Sequence, residues 1–354
     1  MDLKEEIARE VEKDTGIPVA GRDVEGIISS LLVTSHFWEV VQRSRLPFNV
    51  VAASVELFHR RGWVKMGGDG SLTFTAAGKD MAVREGIEPE KDFVCPGCLG
   101  RGVSWQDLEG LYRRFVEIAG RRPEPIKEYD QGFVTAETTV SRIALMADRG
   151  DLAGKRLLVL GDDDLVSLAA GLSGMPEEVV VLEIDDRLID FINEVAEENR
   201  LPVKARRYDF RQKLPEEYVG SFHTFTTDPP ETLEALEVCL GRGLLSLRGE
   251  GCAGYFGLTH AESSLRKWNE LQQLLVGKFK VTITDIIEDF NHYVNWDYLL
   301  PSLKKTYPFL KFPPRINWYR SAMYRIQTLG QVEGLRNEAA ECELYVDKEA
   351  LIYG

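Results

Sequence analysis

Apolar positions recur at helical spacing through the first part of the chain. Ile27, Ile28, Leu31 and Leu32, then Phe37, Trp38, Val40 and Val41, fall on single faces of successive turns. Pro47 opens a further helix carrying Val50, Val51, Ala52, Val55, Leu57 and Phe58. The pattern then shortens. Gly62-Trp63-Val64-Lys65 and Leu72-Thr73-Phe74 flank a Gly67-Gly68-Asp69-Gly70 turn and predict a hairpin, after which Thr75 caps a helix through Met81. Helices followed by a two-stranded wing predict a winged-helix-like domain over residues 1–90, with a structural or dimerising role.

A linker and one helix (Leu108, Leu111, Phe115, Ile118) occupy residues 91–128. From about residue 155 short apolar runs alternate with helical periods. Strands are predicted at 156–160, 179–182, 202–208, 222–227, 252–258 and 278–287, with helices at about 165–173, 186–199 and 231–246. This alternation predicts an α/β domain over residues 129–330, a Rossmann-like doubly wound sheet of the methyltransferase or aminopropyltransferase type. Residues 331–354 are rich in Glu, Ala and Asn and end in Leu351, Ile352 and Tyr353. They predict a mobile tail, swapped onto a partner or folded over a ligand.

In such sheets ligands sit beyond the carboxyl ends of the strands. The first strand ends in Gly161-Asp162-Asp163-Asp164, where a nucleotide fold normally places glycines that admit phosphate. Carboxylates there repel phosphate and attract cations. The second strand ends in Glu183, about 20 positions on, where an acid accepts ribose hydroxyls; Asp185 and Asp186 begin the next helix and favour its dipole in any case. Asp209 follows the third strand, as a partner for an adenine amino group or as a turn residue. Asp228-Pro229-Pro230 follows the fourth, as part of a site or as a rigid helix entry. Acids at four successive strand ends face one cleft, and their repulsion is relieved when a cation fills it.

The bulk composition sharpens this. The 354 residues carry a net charge of −14, which counts against a nucleic-acid partner and suits cationic ligands. No stretch approaches the ~20 apolar residues of a membrane span, and the charged start Met1-Asp2-Leu3-Lys4-Glu5-Glu6 lacks a signal core, so a cytoplasmic protein is expected. Cys95-Pro96-Gly97-Cys98 is half a zinc ribbon or a tight linker turn; Cys239, Cys252 and Cys342 are isolated, so no metal is assigned.

Gly161-Asp162-Asp163-Asp164-Leu165, Glu183-Ile184-Asp185, Thr227-Asp228-Pro229-Pro230 and Asn295-Trp296-Asp297-Tyr298 together resemble the branched-chain polyamine synthases of thermophilic archaea and bacteria, the N4-bis(aminopropyl)spermidine synthases. The Gly-Asp-Asp-Asp run is the specific part. The resemblance implies a homodimeric aminopropyltransferase with no cofactor. Its co-substrate is decarboxylated S-adenosylmethionine, its acceptor the central amine of spermidine, and its by-product 5′-methylthioadenosine. It also implies that Asp164 is catalytic and that Glu183 holds the ribose.

The residues suit that chemistry. Donor and spermidine together bring about five positive charges into one cleft, since amine pKa values resemble that of lysine. Each needs a carboxylate or carbonyl partner to leave water. We therefore expect Asp164 to face the central nitrogen and accept its proton, Asp162 and Asp163 to hold the donor's tail or one end of spermidine, and Asp228 with Pro229 to face the acceptor. Gln131, in Tyr129-Asp130-Gln131-Gly132-Phe133, belongs to a lid over the nucleoside or to the entry of a helix capped by Thr135. Glu262 can reach an acceptor amine, and Tyr293 and Trp296 offer cation–π faces or core packing. Two other readings are an S-adenosylmethionine-dependent amino-methyltransferase, which the missing Gly-x-Gly opposes, and a winged-helix polyamine-sensing regulator, which a basic recognition helix would support.

Overall fold

We describe the protein from a computed structural model, which covers residues 2–332 and 335–351. Ile352 and Tyr353 lie outside the described residues. Four helices open the chain: α1 (Leu3–Thr15), α2 (Gly21–Leu31), α3 (Phe37–Ser44) and α4 (Phe48–Arg60). β1 (Val64–Met66) and β2 (Leu72–Phe74) pair antiparallel across the glycine turn. α5 (Ala76–Arg84) follows Thr75, whose hydroxyl accepts the Gly78 N–H at 3.1 Å. The predicted apolar faces are buried, with Ile27, Ile28, Val40, Val51 and Phe58 at 0% exposure. This core does not close on itself: it merges with Val134 and with Ala261, Tyr293, Leu299, Trp318 and Tyr319 from the second half of the chain.

α6 (Glu109–Ala119) and α7 (Ala136–Asp148), capped by Thr135, lead into the sheet. Its parts are β3 (Arg156–Leu160), α8 (Val166–Ser173), β4 (Glu178–Glu183), α9 (Asp186–Asn199), β5 (Val203–Arg207), β6 (Thr224–Thr227), α10 (Leu233–Ser246) and β7 (Ala253–Thr259). Then come α11 (Leu265–Gln273), β8 (Thr282–His292), α12 (Leu299–Thr306) and β9 (Arg320–Gln327). The strand order is β5-β4-β3-β6-β7-β9-β8. β5 through β7 run parallel, and β9 lies antiparallel to both β7 and β8. Helices cover both faces, so the inner strands read as near-continuous apolar runs. Strand order reverses between β3 and β6, which opens a crevice beyond their carboxyl ends.

Two elements depart from the sequence pattern. The last predicted strand, 278–287, begins late, because a π-helical turn at Leu274–Lys278 extends the preceding helix. β9 and α12 are not anticipated at all. β9 is interrupted by Arg325, whose guanidinium is buried against Asp151 (Nε to Oδ2, 2.8 Å), so the strand lacks a clean apolar signature. The described part of the tail is docked rather than extended. Leu344 and Leu351 are buried, Thr232 Oγ1 donates to the Leu344 carbonyl (3.0 Å), and Lys267 Nζ donates to Asp347 (2.7 Å).

Candidate active site

A cleft of about 1070 Å³, counted to its open mouth, lies beyond the strand ends. Four of the five parallel strands deliver residues to it. β3 supplies Gly161 and Asp163, β4 Glu183, β5 Asp209, Phe210 and Arg211, and β6 Asp228, Pro229 and Glu231. Tyr129 to Gly132, Glu262, Tyr293, Trp296, Tyr319 and the tail residues Leu344 and Tyr345 close its sides. Acids from four successive strand ends thus meet in one space.

The aspartate run does not act as a unit, contrary to the expectation that all three carboxylates meet ligand. Gly161 turns the chain at φ 71°. Asp163 then stands on the cleft wall, where its Oδ2 accepts the Gly132 N–H at 3.0 Å. Asp162 folds back into the protein and caps α8, accepting the Val166 N–H at 2.6 Å and the Ser167 N–H at 3.2 Å. Burial pushes its carboxyl up to about 8. Asp164 also leaves the wall. Its Oδ1 accepts the Val134 N–H (2.7 Å) and its Oδ2 accepts Arg142 Nη1 (2.6 Å). The reason is geometric: successive side chains on a tight turn point in different directions. Leu165, fully buried at φ 55°, locks that turn.

On the nucleoside side, Glu183 accepts three backbone N–H groups, from Asp162 (2.8 Å), Ile184 (2.8 Å) and Asp185 (2.9 Å). Its carboxylate is therefore fixed at the wall. Asp185 stands behind the wall, capping α9 through the Arg187 N–H (2.9 Å) and accepting Gln131 Nε2 (3.0 Å). Gln131 itself lines the cleft, so it couples α9 to the 129–132 segment. Asp209 is clamped by Arg211 Nη2 at 2.8 Å, and that hydrogen bond holds its carboxyl below the usual range.

On the opposite side, Asp228 Oδ2 accepts Arg142 Nη2 (2.8 Å) and the Tyr293 hydroxyl (2.5 Å). Glu231 accepts the Thr259 N–H (2.9 Å) and the Ser263 hydroxyl (3.0 Å). Glu262 accepts the Leu351 N–H (2.6 Å) and the Tyr319 hydroxyl. Trp296 stacks edge-on against Tyr319, ring centroids 5.3 Å apart. Burial pushes up the carboxyls of Asp130, Asp163, Glu183, Asp228, Glu231 and Glu262. Like charges add to this: Glu262 acts on Asp130 and Glu231, while Asp164, Glu183 and Asp228 act on Asp163. Such a site favours protons or other cations.

Sequence reasoning missed Asp130, Glu231, Tyr319 and Arg142 as site residues. Asp130 and Glu231 had signals, the first inside the Tyr129-Asp130-Gln131 segment and the second directly after Pro229-Pro230. Arg142 had one as well, since it interrupts an apolar run between Val140 and Ile143. Cys95 and Cys98 are free thiols away from the cleft, and among the described residues no group of three or more His, Cys, Asp or Glu could hold a metal ion.

The family model of the branched-chain polyamine synthase A C-terminal domain matches residues 110–352. This chain belongs to the branched-chain polyamine synthase family. The N(4)-bis(aminopropyl)spermidine synthase of Methanocaldococcus jannaschii is 46% identical over 348 residues, 98% of this chain and 99% of that protein. Those of Thermococcus kodakarensis and Thermus thermophilus are 43% and 41% identical, each over 98% of this chain. A crystal structure of the branched-chain polyamine synthase from Thermus thermophilus, in complex with N4-aminopropylspermidine and 5′-methylthioadenosine, shares the fold with a TM-score of 0.91 at 40% identity, over 99% of this chain and 98% of that one. No helix among the described residues is long and apolar enough to cross a membrane.

Proposed function

We infer that this chain is an aminopropyltransferase. It moves the aminopropyl group of decarboxylated S-adenosylmethionine to the central amine of spermidine, twice, giving N4-bis(aminopropyl)spermidine and 5′-methylthioadenosine. The observation that carries this is a cleft walled by Asp130, Asp163, Glu183, Asp209, Asp228, Glu231 and Glu262, with Arg211 already spent on Asp209. The end-to-end likeness to synthases of that name supports it. A donor that keeps its carboxylate would set that group against these acids, which disfavours methyl transfer from intact S-adenosylmethionine.

In the reaction the acceptor nitrogen's lone pair attacks the methylene beside the sulfonium. The C–S bond breaks and its electron pair returns to sulfur; in the first transfer the nitrogen's proton passes to a carboxylate, and in the second the tertiary amine has no N–H to lose and becomes a quaternary ammonium. Glu183 holds the ribose hydroxyls, Asp209 faces the adenine amino group, and Gln131 and Asp185 brace that end. Asp228, Glu231 and Glu262 receive the acceptor, with Trp296 and Tyr293 as aromatic walls. Within the aspartate run, Asp163 is the member placed to take the proton; Asp164, from behind, makes Asp163 more basic and anchors Arg142. Most of the acceleration comes from holding nitrogen and methylene in line. The N-terminal helices and hairpin form a winged-helix-like unit whose core runs into the cleft's rim at Tyr293 and Tyr319, and the chain acts as a cytoplasmic homodimer.

The test is incubation with spermidine and decarboxylated donor, resolving products by mass and connectivity. Branched products with methylthioadenosine support the assignment. Turnover of intact S-adenosylmethionine, or only linear products, overturns it.

A further inference from the structure

The acids of the cleft are not equally paired, and one buried guanidinium makes the difference. Arg142 projects from α7 with its side chain 4% exposed, and it donates Nη1 to Asp164 (2.6 Å), Nη2 to Asp228 (2.8 Å) and Nε to Asn291 Oδ1 (2.8 Å). Asn291 is aimed by a register shift in β8 between Ile287 and Asn291, and its amide donates onward to Ser321 (2.9 Å). The Tyr293 hydroxyl closes the ring by donating to Asp228 (2.5 Å) and meeting Ser321 Oγ (3.2 Å). The two carboxylates therefore share one cation. On the far side of the cleft, Glu231 and Glu262 take their hydrogen bonds from neutral donors. Lys267 donates to their backbone carbonyls at 3.0 and 2.7 Å and to Asp347 at 2.7 Å; its charge acts on both carboxylates without a hydrogen bond to either.

This contrast matters for an amine nucleophile. A fully charged carboxylate stabilises an ammonium and so removes the lone pair that must attack. A carboxylate already shared with a guanidinium orients the amine with much less of that penalty. Resting on the aminopropyl-transfer reading above, we propose that Arg142 is a positioning residue that selects the reacting nitrogen. By offsetting the charge of Asp164 and Asp228 beneath the middle of the acceptor, it leaves the central amine unprotonated, while Glu231 and Glu262, which no cation hydrogen-bonds, hold the terminal ammonium groups. The charged or titratable groups that face this spot are Asp164 after β3, Asp228 after β6, Tyr293 after β8, and Asp163 on the wall. Arg122, lying 3.4 Å over the Phe133 ring and donating to the Asp163 carbonyl at 2.9 Å, acts through its charge on Asp163 and Asp164. Arg142 is the member of this set that touches two acids at once.

The experiment is the pH dependence of kcat for the full-length protein with spermidine and decarboxylated donor. Removing a unit charge several ångströms from the nitrogen at an effective dielectric near 20 moves its pKa by roughly one to two units. Arg142→Gln should thus lose on the order of 10- to 100-fold in kcat near neutral pH, with activity returning as pH rises. The spermidine KM should be little changed, and a larger share of product should be linear. Arg142→Lys, which keeps the charge, should retain the wild-type profile at reduced kcat. Asn291→Asp, a near-isosteric change that adds a competing carboxylate beside Nε, should shift the profile in the same direction as Arg142→Gln, and it decides the matter if Arg142→Gln does not fold. Profiles that are merely scaled down, with no shift in either variant, overturn the proposal. Failure of the wild-type protein to aminopropylate spermidine overturns the underlying reading instead.

Discussion

Gly257 lies in β7 directly beside Asp228, and replacing it with alanine tests whether the acceptor wall is as finely placed as the chemistry requires. A Cβ built there overlaps Asp228 Oδ1 and falls 3.2 Å from Asp228 Cγ and 3.0 Å from Ser321 Oγ. Carbon atoms prefer about 3.5–4.0 Å, so with the overlap at Oδ1 the carboxylate must move by about 1 Å. Its bond from Arg142, now 2.8 Å, would stretch beyond the ~3.2 Å limit of a good hydrogen bond. A charge-assisted bond is worth about 1.5–3 kcal/mol, partly offset by the roughly 0.5–1 kcal/mol that alanine gains over glycine in a strand. The net destabilisation should be about 1–2 kcal/mol, which leaves the protein folded. The kinetic effect should be larger, because a misplacement of about 1 Å can cost on the order of 100-fold in rate. Turnover by product mass and methylthioadenosine affinity by calorimetry separate the two sides of the cleft: kcat should fall, and nucleoside binding should hold, since Glu183 and Asp209 are untouched. Wild-type turnover in Gly257→Ala would refute the claim that Asp228 position matters.

Three further outcomes follow from the same geometry. Asp163→Asn should lower kcat by roughly 100- to 10,000-fold, the range of a lost general base, while still binding methylthioadenosine; an active Asp163→Asn beside an inert Asp164→Asn would return the proton to Asp164. Asp162→Ala should cost about 1–2 kcal/mol in denaturant unfolding through loss of the α8 cap, and unchanged stability would show that the helix does not depend on it. The raised carboxyls mean that the native protein binds more protons than the unfolded chain. The stability these raised carboxyls contribute to the ligand-free protein should accordingly be fully present at about pH 4 and fall as pH rises, the decline continuing to about 8, where Asp162 loses its proton. Added spermidine should raise the melting temperature more at pH 8 than at pH 5; equal shifts would contradict a cleft whose acids exchange protons for polycations.

The linear pattern of residues determined much about this protein. Apolar runs placed five of the seven sheet strands to within two residues, and their alternation with helical periods dictated a parallel, doubly wound sheet. Because that topology gathers all parallel strand ends on one edge, the acids Asp163, Glu183, Asp209 and Asp228 could be assigned to one cleft before any coordinates. Only the tertiary structure decided which of the acids face the cleft. Asp162, Asp163 and Asp164 are equivalent as letters, yet a turn fixed by Gly161 and Leu165 sends the first to a helix end, the second to the cleft and the third to an arginine. Arg142 and Tyr319 joined the site from distant segments through packing that no local period encodes. Spacing records which residues share an edge of the sheet; the direction of each side chain on that edge depends on contacts made across the whole chain.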